Sequence, residues 1–159
     1  MKTYFIKMAA AILAAGAVSG PAIAQEQPIA LSGDVMVEKT VVDEAGISTI
    51  ERVEPDVVVP GDRLIFSTDY SNSGSEAVTD FVVTNPLPSA VRLASDADAG
   101  LAVSVDGGAS WGILAALTVA ADDGSVRPAT HADVTHVRWT LAEVAPGERG
   151  RVEYPAIIR

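Results

Sequence analysis

The chain has 159 residues, 21 acidic against 11 basic side chains, a formal net charge of −10, and no cysteine. Without cysteine there is no disulfide staple, no thiol nucleophile and no thiolate-ligated zinc, and a lipoprotein anchor at a cleavage-site cysteine is excluded. The acidic balance repels phosphate backbones and anionic lipid surfaces, so nucleic acid is excluded as a partner class.

Residues 1–24 read as a signal peptide. Lys2 and Lys7 supply a positive start, Met8 to Val18 is an unbroken run of apolar or small residues, and Ala22-Ile23-Ala24 forms a cleavage site before Gln25. That run is shorter than the ~20 residues a spanning helix needs. Cleavage would leave 135 residues with nine basic and 21 acidic side chains, a formal charge of −12, and Lys39 as the single lysine. A chain of this length supports one core. No later segment is apolar enough to span a bilayer. The expected organisation is a flexible arm over 25–33 and one domain over 34–159, secreted across the inner membrane to the periplasm or the exterior.

In the domain, Val35, Val37 and Val41 alternate with polar residues between Asp34 and Val42, as a half-buried strand requires. Asp43-Glu44-Ala45-Gly46 is a turn, and Ile47 to Val53 returns as a second strand whose acidic neighbours Glu51, Glu54 and Asp56 mark it as an edge. After the short run Val57–Val59, Pro60-Gly61-Asp62 opens a strand from Arg63 to Asn72, with Leu64, Phe66, Thr68 and Tyr70 on its core face. Asn72-Ser73-Gly74 turns the chain, because Asn and Gly tolerate positive φ. Ala77 to Thr84 is the next strand, which Asn85-Pro86-Leu87-Pro88 is expected to break. Val91 to Ala94 resumes as a short strand.

Leu101 to Val105 and Trp111 to Val119 flank a glycine hairpin at Asp106-Gly107-Gly108-Ala109-Ser110. Ala120 to Asp133 reads as a polar, flexible loop. Val134 to Leu141 alternates, with Thr135, Val137, Trp139 and Leu141 on one face. Ala145-Pro146-Gly147 is a turn before the closing strand, Arg151 to Ile158. No segment has a helical period. The expected fold is therefore all-β, an Ig-like antiparallel β-sandwich of about seven to nine strands.

An ordered set of these residues resembles the "domain of unknown function eleven" family, Ig-like modules of bacterial secreted and surface proteins. The residues that carry the resemblance are Pro60-Gly61-Asp62, Phe66, Asn72 with Gly74, Leu87-Pro88, Trp139 with Leu141, and Pro146-Gly147. They span about Asp34 to Ile158. Asn85 stands where the family more often has Asp, and Pro86 replaces a small polar residue. The family commonly forms tandem repeats, of which this sequence holds one copy. The resemblance implies a structural or surface-associated role, without catalysis.

Ser104-Val105-Asp106-Gly107-Gly108-Ala109-Ser110-Trp111 resembles the Asp-box hairpin of sialidases and related β-propellers. One copy cannot build a propeller, so Asp106, Gly107, Gly108 and Trp111 are read as a structural turn in preference to a glycan site. No Gly-x-Ser-x-Gly is present, and His131 and His136 lack a third ligand for zinc, so both are read as surface histidines. Asp96 with Asp98, and Asp122 with Asp123, are weak calcium candidates. Aspartates are also ordinary turn formers, and no cofactor is expected. These readings converge on a non-enzymatic structural or protein-interaction module of the bacterial envelope or exterior. Its partner would be a protein or envelope component, reached through end loops or an open sheet edge, where self-association is also an option. A small carbohydrate- or calcium-binding module is the alternative, with a hydrolase accessory behind it.

Overall fold

The computed structural model describes residues 28–121 and 123–159. The expected signal peptide, residues 25–27 of the expected arm, and Asp122 lie outside them. The described chain is all-β with a single 3-10 turn, Leu114–Ala116. The strands are β1 Ile29–Val42, β2 Ser48–Val53, β3 Arg63–Asn72, β4 Val78–Pro86, β5 Val91–Leu93, β6 Ala102–Ser104, β7 Gly112–Ile113, β8 Thr118–Ala120, β9 Val126–Pro128, β10 His136–Val144 and β11 Arg149–Ile158. A five-stranded sheet in the order β2-β1-β3-β11-β5 faces a four-stranded sheet in the order β4-β10-β6-β7, and β8-β9 forms a separate hairpin. All pairings are antiparallel. Among the described residues no helix is long and apolar enough to cross a membrane.

The two sheets meet over Val37, Leu64, Val91, Leu93, Tyr154 and Ala156 from one side and Leu101, Val103 and Val137 from the other. Tyr154 is the centre of this core. Its ring stacks on Phe66 at 5.1 Å between centroids and tilts against Trp139 at 6.1 Å. Alternation along β3 explains the inward set Leu64, Phe66 and Thr68. Ile65 and Ser67, on the opposite face, are buried as well. Charged side chains cover that outer face: Glu38 binds Arg63 and Arg52, and Arg52 reaches across β1 and β3 to Glu153. Long stems laid over an apolar residue with their charges in water exclude solvent from it.

Two turns expected separately come together at one residue. Asn72 is buried, and its amide nitrogen donates to the carbonyls of Glu76 at 2.8 Å and Val144 at 2.9 Å. Its side-chain oxygen accepts the Gly74 amide at 2.9 Å. The Asn72 carbonyl accepts the amide of Gly147, which follows Pro146 with φ 76°. Asn72 thus ties the end of β3 to the β10–β11 turn. At the opposite end of β3, the Gly61 amide donates to Ile158 O and the Asp62 carboxylate accepts the Val59 amide, which pins the Pro60-Gly61 turn to the end of β11.

The structure departs from several sequence expectations. The arm is strand from Ile29 onward, because residues 29–33 pair with Thr68 to Asn72 of β3 and Ile29 is buried. Asn85 and Pro86 do not break β4. Pro86 is its last residue, opposite His136, on an edge strand where a missing N–H costs no ladder bond, and the corner begins at Leu87-Pro88. The stretch 120–133 contains the turn and return strand of the β8–β9 hairpin, closed by Gly124 at φ 82° and by the Asp123 carboxylate accepting both the amide and the hydroxyl of Ser125. The 3-10 turn at Leu114–Ala116 divides what reads as one strand from Trp111 to Val119. With β7 and the β8–β9 pair, the described residues hold eleven strands, more than the seven to nine expected.

Candidate functional site

The 104–111 hairpin is closed on itself. Gly107 and Gly108 have φ 76° and 93°, values that a side chain would make costly. Asp106 accepts from the Ser110 amide at 2.9 Å, the Ser110 hydroxyl at 2.6 Å and the Ser104 hydroxyl at 2.7 Å. The Ser110 hydroxyl and amide, then the Ser104 hydroxyl, hold the Asp106 carboxyl well below the usual carboxylate range. Ser104, fully buried, accepts the Gly108 amide in turn, and the Trp111 indole N–H donates to Gly108 O. Trp111 packs edge-on to His136, while the Arg138 guanidinium lies 4.0 Å above its ring. His136 is therefore half-buried and not a surface histidine. With both carboxylate oxygens accepting hydrogen bonds and a ring face under Arg138, this group forms a turn lock.

The calcium candidates among the described residues, Asp96, Asp98 and Asp123, each bond to a different partner. Asp96 bonds Arg63 at 2.8 Å, and that contact lowers its pKa. Asp98 accepts the Gly100 amide within its own turn. Asp123 is bound to Ser125, which lowers its pKa. Among the described residues, no three or more His, Asp or Glu side chains are grouped to hold a metal.

Two further features stand out, a cleft not singled out in the sequence and a hairpin whose return strand the sequence marks as an edge. An apolar cleft of about 440 Å³ opens at one end of the sandwich, with core residues Leu93, Leu101 and Val103 in its walls and Asp98 and His131 among its polar ones. Its lining comes from three stretches, 93–103, 114–115 and 129–131, none with a motif.

The second is the β1–β2 hairpin. β1 pairs with β3 only as far as Glu38, so residues 39–51 extend past β3 paired only with one another, while Arg52 and Val53 pair with Glu38 and Val37. Of the eleven exposed large hydrophobics among the described residues, four lie here, Val41, Val42, Ile47 and Ile50, and three more, Val57, Val58 and Val59, lie in the segment that follows β2. Ile50 is 71% exposed. The other edges of the two large sheets are blunted. β4 contains Asp80 at φ 52° and ends at Pro86, β7 has two residues, and the Leu93 amide of three-residue β5 donates to His131 O. β2 is the long edge left open, as its acidic neighbours suggested. No family model, curated protein or solved structure matches the chain.

Proposed function

We propose that this chain is a secreted, non-enzymatic Ig-like module of the bacterial envelope or exterior, of the kind its resemblance to the "domain of unknown function eleven" family implies. Its task is protein interaction, and its contact surface is the open edge of β2. The observation that carries this reading is the projecting β1–β2 hairpin, whose edge combines unpaired backbone groups with exposed Ile50 and Val42. Protected edges are the rule in β-proteins, and an exposed one is a template for strand addition. The leader-like residues 1–24 and the acidic, cysteine-free composition support an exported location.

The reading is tested by a photo-cross-linking residue placed at Ile50 in the cell that makes the protein, with Val82 on the β4 edge, 46% exposed, as control. The expected outcome is a discrete protein adduct from position 50 and none from 82. Equal adducts from both positions, or none from 50, would sink the reading. The alternative, a carbohydrate- or calcium-binding module, has the cleft in its favour. It requires signal on a glycan array that changes with calcium or chelator.

A further inference from the structure

Which partner the edge selects can be read from β2 itself, and the inference rests on the edge-docking reading above. We infer that β2 pairs antiparallel with β2 of a second copy, about a two-fold axis through Ile50.

Backbone parity comes first. The Asp43 amide donates to Ile47 O at the base of the hairpin turn, so Ile47 faces β1. Inward and outward residues alternate along an antiparallel strand. Thr49, Glu51 and Val53 therefore also bond to β1, and Ser48, Ile50 and Arg52 turn their N–H and C=O groups to the free edge. None of those outward groups has a backbone partner among the described residues.

A symmetric antiparallel pair must join outward residues to outward residues, which places the axis on a residue and not between two. Four such positions, residues 49–52, lie inside the strand away from its two ends. An axis at Glu51 sets Glu51 against its own copy, and one at Arg52 sets two guanidinium groups together. Like charges directly opposite are destabilising. An axis at Thr49 engages only residues 48–50 of the strand and brings Gly46 of the turn opposite Arg52. An axis at Ile50 pairs Ser48 with Arg52, Thr49 with Glu51, and Ile50 with Ile50. It uses all three outward residues of each copy and opposes no like charges.

Side chains agree with that choice. Ile50 lies on the hairpin face that carries Thr40 and Val42, and Val42 is 60% exposed, so the two copies would join their isoleucines into one apolar strip. Arg52 is drawn back over its own sheet by Glu38 at 3.4 Å and Glu153 at 3.1 Å. The result is one sheet running through both molecules. The full chain carries a net charge of −10, and −12 without residues 1–24, so repulsion opposes association and salt should strengthen it.

The cysteine-free background permits a direct test of partner and register. Thr49→Cys, Ile50→Cys and Glu51→Cys are each purified and oxidised in a glutathione buffer. Opposed residues of a hydrogen-bonded pair sit about 5.5 Å apart at Cα, within disulfide range. Ile50→Cys should therefore cross-link fastest, while the other two, offset along the strands, lag. Fastest linking at 49 or 51 would overturn the register. In sedimentation equilibrium the unmodified protein should show a monomer–dimer equilibrium that Ile50→Lys weakens by roughly tenfold or more, since two ammonium groups would then oppose each other. Ile50 is too exposed for this change to unfold the domain. A protein monomeric at millimolar concentration in high salt, or a dimer indifferent to Ile50→Lys, would overturn the second-copy assignment. If the in-cell adduct at Ile50 then proved to be a different protein, edge docking would stand and homotypic pairing would fall. Absence of any adduct would remove both.

Discussion

Asn72→Ala should be among the most damaging single polar substitutions in this domain. Asn72 is 1% exposed and makes three side-chain hydrogen bonds, to Glu76 O, Val144 O and the Gly74 amide. The Val144 carbonyl belongs to a residue with 0% exposure, so water cannot replace its lost partner, and an orphaned buried acceptor costs about 1–3 kcal/mol. The other two bonds are only partly buried, and each is worth roughly 0.5–1.5 kcal/mol. Together the loss should be about 3–4 kcal/mol, a large share of the ~5–15 kcal/mol that holds a domain folded. Urea unfolding followed by the fluorescence of Trp111 and Trp139 measures it, with an unchanged denaturant slope as the check that the end states are the same. Asn72→Asp provides the control for shape, since it keeps the outline while turning an acceptor toward two carbonyls. It should be worse than alanine. A loss below about 1 kcal/mol for alanine, or an aspartate variant no worse than alanine, would refute the view that Asn72 is a donor hub joining two turns.

Acid should weaken the fold through Asp106 and Asp133, whose carboxyls are held low by Ser110 with Ser104 and by Arg127 with Thr130 respectively. Because their folded values are depressed, the stability they contribute is complete above the unfolded value of about 3.9 and is lost as pH falls from there through the folded values. Melting temperature against pH should therefore drop below about pH 4, and less steeply in Asp106→Asn; parallel curves would count against the turn lock. At the basic end, burial pushes the Tyr154 phenol up to about 12, so its stabilising contribution is full below the ordinary tyrosine value and is lost as pH rises through that figure. An absorbance titration should show a late phenolate step that disappears in Tyr154→Phe. Gly150 lies under the Tyr70 ring, its cross-strand partner, and a Cβ there would overlap the ring. Gly150→Ala should lose about 1–3 kcal/mol by overpacking, and should lose almost none in a Tyr70→Ala background; an unchanged penalty would show that the ring is not the obstacle.

Much of the strand pattern was legible because half-buried strands alternate and their turns need special residues. β3, the β1–β2 turn, the hairpin glycines and the Pro146-Gly147 turn are of this kind. The parts that were not legible lack one of those signals. Ile29 to Gly33 does not alternate, and its place in the sheet comes from pairing with β3 and from the burial of Ile29. Val126-Arg127-Pro128 is exposed throughout, so no hydrophobic period distinguishes it from a loop. Pro86 reads as a strand breaker until the sheet order shows that it sits on an edge.

The candidate site divides in the same way. Turn chemistry identified the 104–111 hairpin, and the structure assigns its residues to bonds with one another. The open β2 edge was half visible, in its acidic neighbours and its alternation, but nothing local says that the other edges are shut.

By itself the sequence determined the all-β character, the main turns and the acidic surface, because these follow from residue chemistry over a few neighbours. Only the tertiary structure decided that Asn72 joins two turns, that Ile65 is buried on the face the ion pairs cross, and that β2 is an edge left open. Each depends on which strands become neighbours. Strand order is set by the packing of residues far apart in the chain, and no short window of sequence contains it.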